Sequence, residues 1–141
     1  MTQARTAYLE SRILTADPLE LVRLLYREAL RAVAEARRFL AAGDIRARGR
    51  EISRAVELIT ELSLNLNREQ GAGLAHNLAE LYDYMQRRLL EAQFQQSDGP
   101  LAEVSNLLQV LLAGWEGCRP ENLVPKDVPL LPFSEPPADY A

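Results

Sequence analysis

Apolar residues recur at steps of three and four through four stretches of this chain, and each stretch places them on one face of a helix. The first set is Leu21, Leu25, Ala29, Ala32, Ala36 and Phe39; the second is Ile45, Ile52, Val56, Ile59, Leu62 and Leu66. The third is Leu74, Leu78, Leu81, Met85, Leu89 and Ala92, and the fourth is Leu101, Val104, Leu108, Leu111 and Trp115. No strand-like alternation is sustained between them. Asp17-Pro18-Leu19-Glu20 reads as a helix start, with Asp17 as cap, Pro18 in the first turn and Glu20 closing a box-like pairing. The first helix should run to Ala42, where Gly43 offers a left-handed cap and Asp44 starts the next helix at once. The second is expected from Ile45 to about Leu66, the third from about Leu74 to Gln96, and the fourth from Pro100 in its first turn to about Gly117. Such short links make sequential helices antiparallel neighbours, which predicts an all-α, up-down-up-down four-helix bundle.

The apolar faces are wider than a core stripe requires. Leu107, Leu108, Val110, Leu111 and Leu112 cover roughly 200° of the helical wheel, against about 100° for an ordinary buried stripe. Val22, Tyr26, Leu30 and Val33 form a second row on helix one, and Tyr82, Leu90 and Phe94 lie outside the main stripe of helix three. Two readings stand level at this point. One is a wide core with ordinary surface leucines. The other is a groove that receives a partner helix or the chain's own ends.

Composition narrows the chemistry. The 141 residues fit one domain, and 16 Lys+Arg against 20 Asp+Glu leave a formal charge of −4, unfavourable for nucleic acid or an anionic membrane. The single cysteine, Cys118, removes disulfide frameworks and thiolate metal clusters; the single histidine, His76, removes the paired Glu-x-x-His set of a di-iron bundle. His76 itself reads as a partly exposed helix-start residue. No phosphate-binding glycine loop or nucleophile elbow is present. The residues therefore assign no catalytic group, no cofactor and no metal. Arg46, Arg50 and Arg54, with Arg48 nearby, form a basic row, but Glu51, Glu57 and Glu61 interrupt it and no aromatic lies between to stack a base, so it reads as a solvated face. Asp83, Arg87 and Glu91 are spaced for i,i+4 ion pairs. No run approaches the ~18 apolar residues of a bilayer span, and Glu10 and Arg12 interrupt the start where a signal peptide would be apolar, so a cytosolic protein without membrane insertion is expected.

Three parts follow: a leader at 1–14 whose apolar content is Tyr8, Leu9, Ile13 and Leu14, a bundle domain at 15–118, and a tail at 119–141. Six of those last 23 residues are proline, which blocks helix propagation, while Leu123-Val124 and the stretch from Val128 to Phe133 remain able to dock.

Particular strings resemble a known family. LTADPLELVRLLY is similar to the start of helix one in FliS, the flagellar export chaperones, and FLAAGDI resembles the family's first turn. The most specific string is NREQGAGLAHNLAELYDYMQRRLLEAQ, and LLQVLLAGWEGC resembles the family's closing segment. The resemblance covers roughly Tyr8 to Gly117. It implies a cytosolic bundle that holds the apolar C-terminal segment of flagellin, prevents premature polymerisation and supports delivery to the flagellar type III export apparatus. Carried over, Tyr8 matches the family's N-terminal tyrosine, and Tyr26, Leu78, Tyr82 and Met85 match motif positions. With Ile13 and Leu14 from the leader and Leu107 and Leu111 from the wide face of helix four, these are the candidate flagellin contacts. The chain departs from the family pattern at Arg27-Glu28, where Asp-Gly is common, at Ala72 in place of a glycine, and at Gln93 in place of Asn. The rival reading is a homodimeric bundle whose apolar faces serve self-association.

Overall fold

A computed structural model describes residues 18–66 and 72–117. The helix cap at Asp17, the leader at 1–14 and the tail at 119–141 lie outside the described residues. Four helices follow in order: α1 (Pro18–Ala42), α2 (Ile45–Leu64), α3 (Ala72–Gln95) and α4 (Asp98–Glu116). Each packs on its neighbours in sequence, and α4 returns to α1, so the helices form a closed ring with α1 diagonal to α3 and α2 diagonal to α4. The expected four-helix bundle is the fold.

The turn between α1 and α2 forms as the sequence predicts. Gly43 has φ +77°, and its N–H donates to Leu40 O at 3.1 Å while Asp44 N–H donates to Phe39 O at 3.0 Å. That pair of bonds satisfies carbonyls left open at the end of α1. Asp44 then caps α2, its Oδ1 accepting from Ala47 N at 3.1 Å. The α3–α4 turn has the same shape with a less suitable residue. Gln96 holds φ 52°, and Ser97 N–H reaches back to Ala92 O at 3.4 Å.

Two boundaries differ from the sequence reading. α2 stops at Leu64 because Asn65 takes the carbonyl of Glu61 with both its backbone N–H (3.1 Å) and its Nδ2 (2.8 Å). α3 begins at Ala72 rather than Leu74, whereas α4 starts at Asp98 and holds Pro100 in its first turn as expected, since first-turn N–H groups have no intrahelical partner to lose.

The four stripes meet in one core. Ala29, Ala32 and Ala36 of α1, Ile52, Ile59 and Leu62 of α2, Leu81, Met85 and Leu89 of α3, and Leu101, Val104 and Leu108 of α4 are all buried there. The alanine row lets α1 approach α2 closely. Ile45 is a correction to the second stripe: it is 56% exposed and belongs to the surface. Ion pairs then fix the antiparallel register along the seams. Arg37 grips Asp98 bidentately (2.8 and 2.9 Å) and Arg27 reaches Glu116 at 2.7 Å, tying opposite ends of α1 and α4. Between α1 and α2, Arg31 binds Glu28 at 2.7 Å and stands 3.5 Å from Glu51.

Two capping substitutions test this account. Asp44→Ala removes a side-chain cap and should cost about 1 kcal/mol in urea unfolding. Gln96→Gly relieves a left-handed backbone and should stabilise by roughly 0.5–1 kcal/mol, with the unfolding midpoint moving up.

Candidate functional site

The polar centre of the bundle is a hydroxyl pair. Tyr26 of α1 and Tyr82 of α3 are 0% and 2% exposed, and their Oη atoms lie 2.5 Å apart across the core. Trp115 of α4 donates its Nε1–H to Tyr26 Oη at 3.2 Å. The two tyrosine rings are tilted by 56° with centroids 6.4 Å apart. Burial pushes both phenols well above their ordinary pKa, so they stay neutral and one donates to the other. Around the same end of the bundle, Arg23 Nε donates to Trp115 O at 3.1 Å, and Leu19, Leu74 and Trp115 pack together.

A second feature runs along α3 and α4. Glu103 accepts from Tyr84 Oη and from Arg88 Nε, both at 2.6 Å, and these bonds hold its carboxyl below the usual range. Leu107 and Val110 continue the Glu103 row along α4; Leu107 is half-buried against the core and Val110 is exposed. Leu112, also half-buried, packs from another side of α4. The wide apolar face of α4 is thus split: Leu108 and Leu111 build the core, while Leu107, Val110 and Leu112 leave apolar surface at its margins.

The expected contact residues separate accordingly. Tyr26, Leu78, Tyr82, Met85 and Leu111 are fully buried, so in this conformation they build the surface from beneath rather than present themselves on it. Leu107 is the accessible one. Tyr8, Ile13 and Leu14 lie outside the described residues. The second row of α1 goes to the core as well, with Tyr26 and Val33 buried and Val22 and Leu30 packed against them.

Sequence reasoning missed several polar residues. Arg48, read as part of a solvated row, is 3% exposed and donates through Nε to Gln93 Oε1 at 3.1 Å. Gly49 admits that amide: a Cβ there would stand 3.1 Å from Gln93 Nε2. Each departure from the family pattern within the described side chains therefore has its own partner. Arg27 takes Glu116, buried Glu28 takes Arg31, and Gln93 takes Arg48. His76 is exposed as expected, 3.5 Å from Glu80. Arg87 pairs with Asp83 at 3.1 Å, but Glu91 turns to Arg88 at 2.9 Å instead.

The chain matches the family described as flagellar protein FliS over residues 1–122. It is 38% identical over 113 residues to the flagellar secretion chaperone FliS of Salmonella typhimurium strain LT2, covering 79% of this chain and 84% of that protein. It is 36% identical to FliSB of Pseudomonas aeruginosa (83% and 93% covered) and 32% identical to FliS of Bacillus subtilis strain 168 (79% and 82% covered). The chain belongs to the FliS family.

For a FliS chaperone the arrangement is chemically quiet. Among the described residues no group of three or more His, Cys, Asp or Glu side chains could hold a metal ion, and no helix is long and apolar enough to cross a membrane. What this FliS bundle offers is shape: a hydrogen-bonded polar centre beneath partly uncovered apolar margins.

The tyrosine pair gives a direct test. Tyr82→Phe removes the hydroxyl–hydroxyl bond, leaves Tyr26 Oη with only the Trp115 donor and should cost on the order of 1–2 kcal/mol. Tyr26→Phe strips a partner from both Tyr82 and Trp115 and should cost more. The double variant should cost less than the sum, because the two hydroxyls act as one unit. The pH dependence has a fixed sign. Unfolded tyrosines ionise near pH ~10 while the buried pair stays protonated, so stability is complete below that pH and falls as pH rises above it. Urea midpoints between neutral and strongly alkaline pH would show the decline, and it should be smaller in the double Phe variant.

Proposed function

We propose that this chain is a cytosolic, non-enzymatic chaperone that holds the C-terminal helical segment of flagellin, keeps it from polymerising and supports its delivery to the flagellar type III export apparatus. The observation that carries this reading is the FliS match across residues 1–122. Physical chemistry supports it. A segment that polymerises through apolar faces needs those faces covered before export, and Leu107, Val110 and Leu112 supply uncovered apolar area along α4. Burial yields about 25 cal/mol per Å² of apolar surface, and the cost of ordering the segment offsets part of it, which leaves a complex that can still be released.

In this reading the leader is a replaceable lid. Tyr8, Leu9, Ile13 and Leu14 carry too little apolar surface to fold alone but enough to cover part of a groove. A leader tethered to its own groove competes at high effective concentration until the client displaces it.

Co-expression with the cognate flagellin C-terminal segment, followed by size-exclusion chromatography with light scattering, should return a one-to-one complex. A homodimer unchanged by the segment would favour the self-association reading instead. In calorimetric titration, Leu107→Glu should weaken binding about tenfold or more while circular dichroism stays helical, since it places a charge on an apolar contact. Tyr8→Ala should weaken it as well, through loss of an aromatic ring with a polar handle.

A further inference from the structure

One side of the bundle carries an apolar patch remote from the α4 margins. The last turns of α3 present Leu90 and Phe94 one turn apart on a single row, and Phe94 is 87% exposed. Exposed Ile45 opens α2 at the same end, because the Arg48–Gln93 bond and the Gly49–Gln93 approach set the first turns of α2 beside the last turns of α3. Arg46 and Arg50 are exposed on those same turns of α2, and neither makes an ion pair with another described residue. A single exposed leucine is ordinary, but Leu90, Phe94 and Ile45 on the neighbouring ends of two adjacent helices, with two arginines on the same turns, form a surface that calls for a cover.

The chain contains a segment of complementary composition. Residues 127–139, DVPLLPFSEPPAD, place Val128, Leu130, Leu131 and Phe133 between Asp127 and Glu135, with Asp139 beyond and no Lys or Arg. Apolar centre and acidic flanks mirror the apolar centre and basic flank of the patch. Prolines 129, 132, 136 and 137 restrict the backbone in advance, which lowers the entropy lost on docking. Length also fits. Eleven residues from Cys118 to Val128 span about 34 Å in an extended proline-type conformation. The return along α4 from Glu116 to Asp98 is about 27 Å at 1.5 Å per residue. The apolar centre of the segment therefore reaches the end of the bundle where Phe94 stands.

We propose that residues 127–135 fold back as an intramolecular strap over the Ile45–Leu90–Phe94 patch, with their carboxylates toward Arg46 and Arg50. The strap uses a face other than the proposed client margins, and its test contains no flagellin, so its failure leaves the client reading untouched. In the full chain, Phe94 is replaced by p-benzoylphenylalanine, a change tolerated at so exposed a position, and photolysis is followed by digestion and mass spectrometry. The expected product is a cross-link from position 94 to a peptide within 127–135 at the mass of the monomer. Leu131→Asp with Phe133→Asp should cut its yield about fivefold or more, as loss of apolar anchors does. Arg46→Glu with Arg50→Glu should reduce it further at low salt than at high salt. Cross-links joining two copies would instead assign the patch to self-association and overturn the strap. Absence of any product within 127–135, or a yield unaffected by the Asp pair, would overturn it equally.

Discussion

The hydrogen bond between Tyr26 and Tyr82 is the directional constraint around which the bundle is arranged. Apolar stripes drive four helices together, but they tolerate rotation and sliding, because burial is nearly indifferent to angle. A hydroxyl pair at 2.5 Å in a dry core is not indifferent. It joins α1 to α3, the diagonal pair of the bundle, and so constrains the rotation of both. Trp115 extends the constraint to α4. Any turn of α3 that brought Tyr82 outward would strip that partner from the buried Tyr26 hydroxyl, which would keep only the Trp115 bond, at a cost of about 1–3 kcal/mol.

The seams obey a weaker version of the same logic. Fifteen of the sixteen cationic side chains are arginine, and several act as forks between helices. Arg37 on Asp98, Arg88 on Glu103 and Arg27 on Glu116 each join residues far apart in sequence. Exposed pairs of this kind add little stability, typically below about 1 kcal/mol. Their planar geometry matters more for register, since a one-turn slip of α4 against α1 would break the Arg27 and Arg37 pairs together. Arg48 differs because it is buried. It has exchanged water for the Gln93 amide, and Gly49 provides the space.

What the sequence made legible follows from where the information lies. Helix number, the Gly43–Asp44 turn and most core positions are local matters, set by spacing and capping chemistry, and they read correctly. Ile45 and Arg48 did not. Both sit on the first turns of α2, where a wheel gives an angle but not whether a neighbouring helix stands at that angle. The same limit applied to the wide faces. Tyr26 and Val33 looked like a second row available to a partner, yet both are buried, Tyr26 against Tyr82 and Trp115, whereas Phe94 on a similar outer row is bare. Of the candidate contacts, Leu107 could be separated from Leu111 only once α3 was seen beside Glu103. Buried polar networks are hidden for the same reason: Tyr26, Tyr82 and Trp115 are far apart in sequence, and nothing local announces that they meet.

These features bear on how a chaperone of the FliS family works. Under the proposed client reading, a protein that takes up and releases an apolar segment cannot draw that surface from its own core, because each cycle would then require unfolding. Here the core keeps its large apolar side chains and pairs its central hydroxyls with each other and with Trp115. Apolar side chains left over stand outside it: Leu107, Val110 and Leu112 at the α4 margins proposed for the client, and Ile45, Leu90 and Phe94 on the separate face proposed for the strap. Covering such margins adds modest free energy per contact, and the sum over a long segment becomes large while each local exchange stays small. Under the proposed client reading, a segment held along the α4 margins can be lifted off one contact at a time without drawing on the core.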